Sequence, residues 1–361
     1  MKIALLGDIA FFGKFSVENN KDLKEYFKDT AALLAGYDLV IGNLETPFVN
    51  KEKPYGYKSA YIKSEVSNVA LLKYLNIGIV NLANNHIYDF GKLSYELTKK
   101  VLKENDIDYF GVEDKEMICD FKENKISLNG YCCYSTNPMG MQPPLKKGIN
   151  ELNYPAVAQR LNDNSAKGLF NIFSFHIGQE HVNVPNYDHI EMARNLAEVG
   201  PYIFYGHHPH VAQGIEKHNG SLLAYSLGNF CFDDVYTSKS EEPLIKQTQN
   251  NKESFVLELE VENNKLISHK VIPIFLGDTK MHIGEQSIAD KIDGYSDKLS
   301  IEKEAYIESR ETLINRYIDS RKTMRDLNWY LKRLNYRSFF LLKSAKDNSK
   351  KYYENLKKHV K

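Results

Sequence analysis

Between residues 3 and 110, short apolar runs alternate with longer amphipathic stretches, and few architectures tolerate that pattern. The run 3–6 precedes an amphipathic stretch over 23–35. The run 39–41 precedes a helix-like stretch over 66–75, and 77–82 precedes another over 93–103, before a short strand at 109–110. Strand and helix in turn predict an α/β fold with at least one largely parallel sheet. A second strand-rich region includes 125–128, 130–134, 172–175, 202–205, 222–225, 255–261 and 269–275, with a helix over 186–199 between them. Two β-layers with helices outside would accommodate both regions. Residues 136–168 are rich in Asn, Pro and Gly and carry a helix-like stretch near 154–161. An excursion of about 30 residues in a compact domain is often functional, and a lid is expected here.

At 361 residues and 42% hydrophobic, the chain can bury one large core or two modest ones. Its formal charge is zero, so nucleic acid is not an expected partner. The charge is uneven, with 16 Lys or Arg against 8 Asp or Glu from 301 to 361. That stretch shows helical spacing of Ile307, Ile314, Tyr317, Ile318, Leu327, Leu331 and Leu334. It predicts a basic, mostly helical extension over 278–361, docked on a main domain over 1–277. Its basic faces with Trp329, Tyr330, Phe339 and Phe340 also suit peripheral contact with a membrane surface.

No leader pattern precedes the first strand, and no apolar run approaches the ~20 residues of a spanning helix. The four cysteines (Cys119, Cys132, Cys133, Cys231) form no Cys-x-x-Cys pair, and adjacent Cys132 and Cys133 should project to opposite faces of a strand. A reduced, cytoplasmic protein is expected, with a peripheral place at the inner face of the membrane as its variant.

The chemistry concentrates where strands end. Tyr205-Gly206-His207-His208-Pro209-His210 puts three imidazoles in four positions after an apolar run, and imidazole is the commonest metal ligand. Pro209 should hold His208 in extended backbone, splaying His208 and His210 apart. Asp8, Glu45, Asn85-His86 and His176 each follow another β-like run. Taken singly, Gly7-Asp8 reads as a turn, Glu45 as a helix start and His176 as a satisfied core histidine. Asn84-Asn85-His86 would be costly in a core without partners. Together they predict a centre for one or two divalent ions, Mn2+, Zn2+ or Fe2+, built from carboxylates, imidazoles and an amide oxygen. His86 would face a substrate oxygen, and Asp89 would orient His86 unless it merely caps a helix.

These motifs also carry a resemblance. The ordered set Gly7-Asp8, Asn43-Leu44-Glu45, Ala83-Asn84-Asn85-His86 with Asp89 and Gly91, Ser174 to Glu180, Gly206 to Val211 and Tyr225 to Phe230 resembles the capsule and poly-γ-glutamate synthesis protein CapA family, a branch of the calcineurin-like metallophosphoesterase superfamily. The resemblance spans roughly residues 3–275 and implies a four-layer α/β/β/α sandwich with metals at strand ends. It implies that Asp8 and His210 hold a first ion, that Glu45 bridges, and that Asn85, His176 and His208 hold a second. His86 would match the general acid or transition-state stabiliser. One position departs: the superfamily begins with Asp-x-His, and here Asp8-Ile9-Ala10 removes that imidazole, which favours the second ion over the first.

The function so implied is a metal-dependent hydrolase or transferase acting on a phosphoester or γ-amide in capsule or surface-polymer (poly-γ-glutamate-like) biosynthesis. Its expected partners are a polymer or phosphoester substrate and other capsule-synthesis proteins. The alternative is a non-catalytic, metal-stabilised assembly or carrier protein of the same machinery. No Gly-x-x-x-x-Gly-Lys-Ser/Thr loop is present, so a nucleotide-dependent ligase is not expected.

Overall fold

The structure, a computed structural model, describes residues 1–58, 60–141, 148–237, 240–322 and 336–360. Two mixed sheets stack face to face. The first runs in the order β16 (Met281–Ile283), β15 (Lys265–Leu276), β14 (Glu253–Glu262), β1 (Lys2–Ile9), β2 (Leu39–Leu44), β3 (Ile79–Asn81) and β4 (Asp108–Phe110), with β11 (Asn229–Cys231) also paired to β1. Strands β1 to β4 are parallel, and β14, β15 and β16 extend the sheet in antiparallel fashion. The second runs in the order β5 (Met117–Phe121), β6 (Asn124–Cys132), β7 (Phe170–His176), β8 (Ile203–His207), β10 (Ser221–Ala224) and β9 (Ile215–His218). Its four middle strands are parallel and its two edges antiparallel. A small antiparallel pair, β12 (Val235–Thr237) and β13 (Ser240–Ile245), stands apart.

Side-chain alternation builds the layers. Ile3, Leu5, Ile41 and Ile79 of the first sheet meet Ile126, Ile172, Ile203 and Leu222 of the second in a buried middle core. On the far side of the first sheet, Ala4, Leu6, Val40 and Val80 pack under α1 (Leu23–Tyr26), α2 (Lys28–Leu34), α3 (Val69–Tyr74) and α4 (Gly91–Glu104). On the far side of the second, Phe173, Phe175 and Phe204 pack under α5 (Tyr154–Ala166) and α6 (Tyr187–Val199). The result is the four-layer α/β/β/α sandwich. Helix α4 follows from Tyr95, Thr98 and Leu102 falling on one buried face. Helix α5 starts where Asn153 accepts from the Ala156 N–H, with Pro155 in the first turn.

The second strand-rich region of the sequence divides between the two sheets: β14 pairs with β1 (Lys2 against Glu260, Leu5 against Leu257) and β15 follows it, in the first sheet. Alternation identifies a strand and its buried face, but not which open edge it joins. Here Phe255, Leu257, Leu259 and Val261 all face the middle core, which either sheet could have offered. The runs 125–128 and 130–134 also prove to belong largely to the single strand β6.

Beyond α7 (Gln249–Lys252), the described residues include the helices α8 (Gln286–Asp297), α9 (Lys303–Lys322) and α10 (Tyr336–Asn355). Ile288 and Ile292 enter the middle core, while Leu299, Tyr306, Leu356 and Val360 join the outer core of the second sheet. Polar contacts fix the docking: Tyr306 donates to Pro185 O at 2.8 Å, and His189 Nε2 lies 3.1 Å from the Tyr352 hydroxyl. Phe339, Phe340 and Leu342 of α10 stay exposed. The expected positions Leu327, Trp329, Tyr330, Leu331 and Leu334 lie outside the described residues, as do 142–147 of the 136–168 excursion. The return of that excursion is tied down, with Cys132 N donating to Asn150 O (2.9 Å) and Leu152 N to Cys132 O (2.8 Å). All four cysteines are free, and Cys132 and Cys133 enter different cores. Among the described residues, no helix is long and apolar enough to cross a membrane.

Candidate metal centre

Parallel strands of both sheets end at one edge, and the polar residues gather there. Asp8 reaches it because β1 runs tight against the 225–231 segment. Gly228 O accepts the Asp8 N–H at 2.9 Å, and a Cβ on Gly7 would stand 2.0 Å from that same oxygen. Gly7 is therefore required for close approach of two backbones, not for the turn that Gly-Asp suggested. Gly206 does the same on β8, where a Cβ would lie 1.8 Å from Tyr225 O.

Asp8, Glu45, Asn85, His86, Asp89, His176, His208 and His210 are all buried. Asp8 Oδ1 accepts from Asn43 Nδ2 at 2.8 Å, and its Oδ2 accepts from the His208 backbone N–H at 3.2 Å. His210 Nδ1 lies 3.4 Å from Asp8 Oδ2 and 2.9 Å from Asn229 Oδ1. His207 Nδ1 comes within 3.0 Å of Asp8 Oδ1, although out of line for a hydrogen bond, and its ring rests on Tyr205. His176 Nε2 meets Asn85 Oδ1 at 2.9 Å, and Asn85 Nδ2 donates to Thr136 O at 3.1 Å.

Glu45 differs from its neighbours. Both carboxylate oxygens are buried and make no hydrogen bond. Oε1 stands 3.7 Å from His176 Nε2 and 3.7 Å from His210 Nε2. His208 Nδ1 is likewise buried without a partner. One ligand atom each from Glu45, His208 and His210 lie within 4.8 Å of one another. A buried carboxylate left without donors is costly, and imidazole nitrogens beside it complete the donor set of a divalent-cation site. These residues fit such an ion.

Burial and mutual charge set the electrostatics of the cluster. Burial pushes the Glu45 carboxyl well above its ordinary range, against the pull of His210. Burial likewise takes His208 down to about 3 and His176 well below the usual imidazole value. Burial acts against charge on Asp8 and His210 too, but each overcomes it through the other. His207 and His210 hold Asp8 well below the carboxylate range, and Glu45 and Asp8 lift His210 to about 10.

The backbone under the imidazoles departs from the expected extended form. His208 has φ +94° and His210 φ +58°, conformations unusual for side chains with a Cβ. Pro209 disfavours helical backbone at His208, yet the segment turns rather than extends. The turn lets the His208 N–H reach Asp8 while Pro209 O accepts from the His181 N–H at 2.8 Å.

His86 lies beside this group. Its Nδ1 is 2.7 Å from Asp89 Oδ2, and that same oxygen accepts the Ile62 N–H at 3.0 Å. Asp89 therefore does not cap α4, whose N-terminal neighbour Phe90 makes no side-chain cap. Lys58, unmarked in a lysine-rich stretch, joins the pair with Nζ 2.7 Å from Asp89 Oδ1. Asn43 and Asn229 also proved to be part of the site, each hydrogen-bonded to an expected ligand. Both stand inside the quoted motifs, and their amides next to Leu44-Glu45 and Gly228 were the available signal. Ala10 is surrounded by Ala60, Ile62, Phe232 and Val235. An apolar wall thus stands where the resemblance implies an imidazole, with Phe232 4.6 Å from the His210 ring.

Residues 2–234 match the profile described as bacterial capsule synthesis protein PGA_cap. The chain is 28% identical to the PGA biosynthesis protein CapA of Bacillus subtilis over 68% of its own length and 67% of that protein's. It is 25% identical to the capsule biosynthesis protein CapA of Bacillus anthracis, over 68% of its own length and 63% of the relative's. The chain thus spans about two thirds of the length of these relatives. Among solved structures it is similar to the NAD nucleotidase of Haemophilus influenzae, with 13% identity and a TM-score of 0.43 over 88% of this chain and 60% of that one. With the profile covering well over half of its residues, the chain belongs to the bacterial capsule synthesis protein family PGA_cap.

Proposed function

We propose that the chain is a divalent-metal-dependent hydrolase or transferase, using Mn2+, Zn2+ or Fe2+, that acts on a phosphoester or γ-amide linkage in capsule-polymer biosynthesis. The observation that carries the metal is Glu45, a buried carboxylate with no hydrogen bond, facing His176 and His210. Glu45, His208 and His210 would hold the ion; Asp8 adjoins His210, His176 adjoins Glu45, and Asn85 is hydrogen-bonded to His176. When bound, such an ion acidifies water and polarises a substrate oxygen. The protein's own part is positional. Asp89 holds His86 through Nδ1, which leaves Nε2 to exchange a proton with a substrate oxygen. The apolar wall beside Ala10 keeps one flank of the centre dry. The polymer rests on the printed names of the Bacillus relatives.

A second reading, a metal-stabilised assembly or carrier protein, is favoured by Ala10 in place of an imidazole and by the exposed Phe339, Phe340 and Leu342 on a basic helix. That surface would meet a capsule-synthesis partner.

One experiment separates the two. Purified protein is assayed for bound metal by mass spectrometry, then for turnover of phosphomonoester, phosphodiester and γ-glutamyl substrates with added Mn2+ or Zn2+. The enzyme reading expects metal and turnover on at least one class, both lost in His208→Ala. A His208→Ala protein that keeps both overturns the assignment, and metal without turnover favours the carrier.

A further inference from the structure

Lys58 lies on the segment between β2 and α3, and its side chain is only 9% exposed. Its ammonium donates to Asp89 Oδ1 and to the backbone oxygen of Asn85, each at 2.7 Å, and passes 3.2 Å from His86 Nδ1. The contacts reach three polar residues of one short turn. Asn85 presents Oδ1 to His176, and His86 rests on the second oxygen of Asp89. An ammonium donates and cannot accept, and His86 Nδ1 is nearer the carboxylate than the ammonium. The Nδ1 proton therefore lies toward Asp89, while Nε2 makes no hydrogen bond among the described residues.

We infer that Lys58 is a positioning residue, whose ammonium pins Asp89 and the Asn85 carbonyl so that His86 is held in one tautomer with Nε2 free for substrate. The inference rests on the proposed function for the role of His86, but the tautomer itself does not. A lysine merely filling a buried ion pair would contact Asp89 alone. Lys58 also grips the backbone of the neighbouring candidate ligand, and so sets the spacing between Asn85 and His86. The adjacent Tyr57 stacks on Phe340 of α10 with ring centroids 5.1 Å apart, which fixes the segment from its outer side.

The test uses the full chain with Lys58→Gln, Lys58→Arg, Asp89→Asn and the Lys58→Gln/Asp89→Asn double variant. Nitrogen-15 NMR of histidine-labelled protein, with His86 assigned by its loss in His86→Gln, reads the tautomer directly. One Nδ1–H form is expected in the wild type and in Lys58→Arg, and a mixture in Lys58→Gln. Bound metal should be unchanged in Lys58→Gln, with kcat lowered by about 10–100-fold, the range for partners that orient a site residue, and KM held within about threefold. The double variant should be no worse than Asp89→Asn alone. An unchanged tautomer in Lys58→Gln overturns the inference, as does a raised KM with kcat intact, which would make Lys58 a substrate-gripping residue. Should Lys58→Gln fail to fold, Lys58→Met, which keeps the apolar stem and removes the charge, replaces it against Lys58→Arg, with the same expected and overturning tautomers. A wild type without turnover on any substrate undoes the proposed function, and the tautomer readout still decides Lys58.

Discussion

Glu45 and Leu356 are equally buried, yet their surroundings have little in common. Leu356 sits on the outer face of the second sheet with Val360, Tyr306 and Leu299, a contact of apolar surfaces with its few polar atoms satisfied. Glu45 sits at the strand ends among imidazoles, with two orphaned oxygens, beside the orphaned His208 Nδ1 and two histidines in the left-handed region. The C-terminal helices follow the rules of a stable core, and the strand-end cluster breaks several of them at once. Natural proteins do that where chemistry requires it, so stability and function should separate cleanly between the two regions.

The largest expected effect is on metal. His208→Ala should weaken binding of Mn2+ or Zn2+ by more than the 10–100-fold typical of outer-shell changes, measured by calorimetric titration, with unfolding of the metal-free protein little altered. Leu356→Ala should do the reverse, lowering stability by about 2–5 kcal/mol in urea unfolding while leaving metal affinity intact. A variant that moved both quantities together would erase the contrast. Glu45→Gln sharpens it further: it should abolish metal binding in the same titration, while the urea midpoint of chelator-treated protein moves less than in Leu356→Ala.

The smallest effect is on pH. His189, buried under α10, is taken down to about 4 by burial despite the help of Asp188. Its neutral form is the one the fold accepts. From its ordinary value near 6.5 down to about 4, the unfolded chain takes up a proton that the folded chain refuses. The contribution is complete above the upper value and is lost as pH falls through that window. Urea midpoints at pH 7.5 and 5 should therefore drop in the wild type, and drop less in His189→Gln.

The legibility of the two regions differs in the same way. The strand-end cluster was readable because histidines, amides and carboxylates after apolar runs have no packing explanation, and Asp8, Glu45, Asn85, His176, His208 and His210 lie beside one another with His86 next to Asn85. Lys58 was not readable, since one lysine among Lys51, Lys53 and Lys63 differs from the others only in the fold. The turn at His208 was missed because a following proline restricts backbone without choosing between extended and left-handed forms. The edge joined by β14 is not legible in its alternation, because strand pairing depends on which edge is open, a tertiary fact. The Gly7 contact with Gly228 is a tertiary fact too, a clash between distant backbones rather than a local turn.

The most direct test is a crystal soaked in Mn2+ and measured for anomalous scattering. A metal centre at the strand ends predicts a peak among Glu45, His208 and His210, with a Glu45 oxygen at coordination distance and the imidazoles turned toward it. A map with no peak there, and Glu45 instead hydrogen-bonded to protein or water, would contradict it.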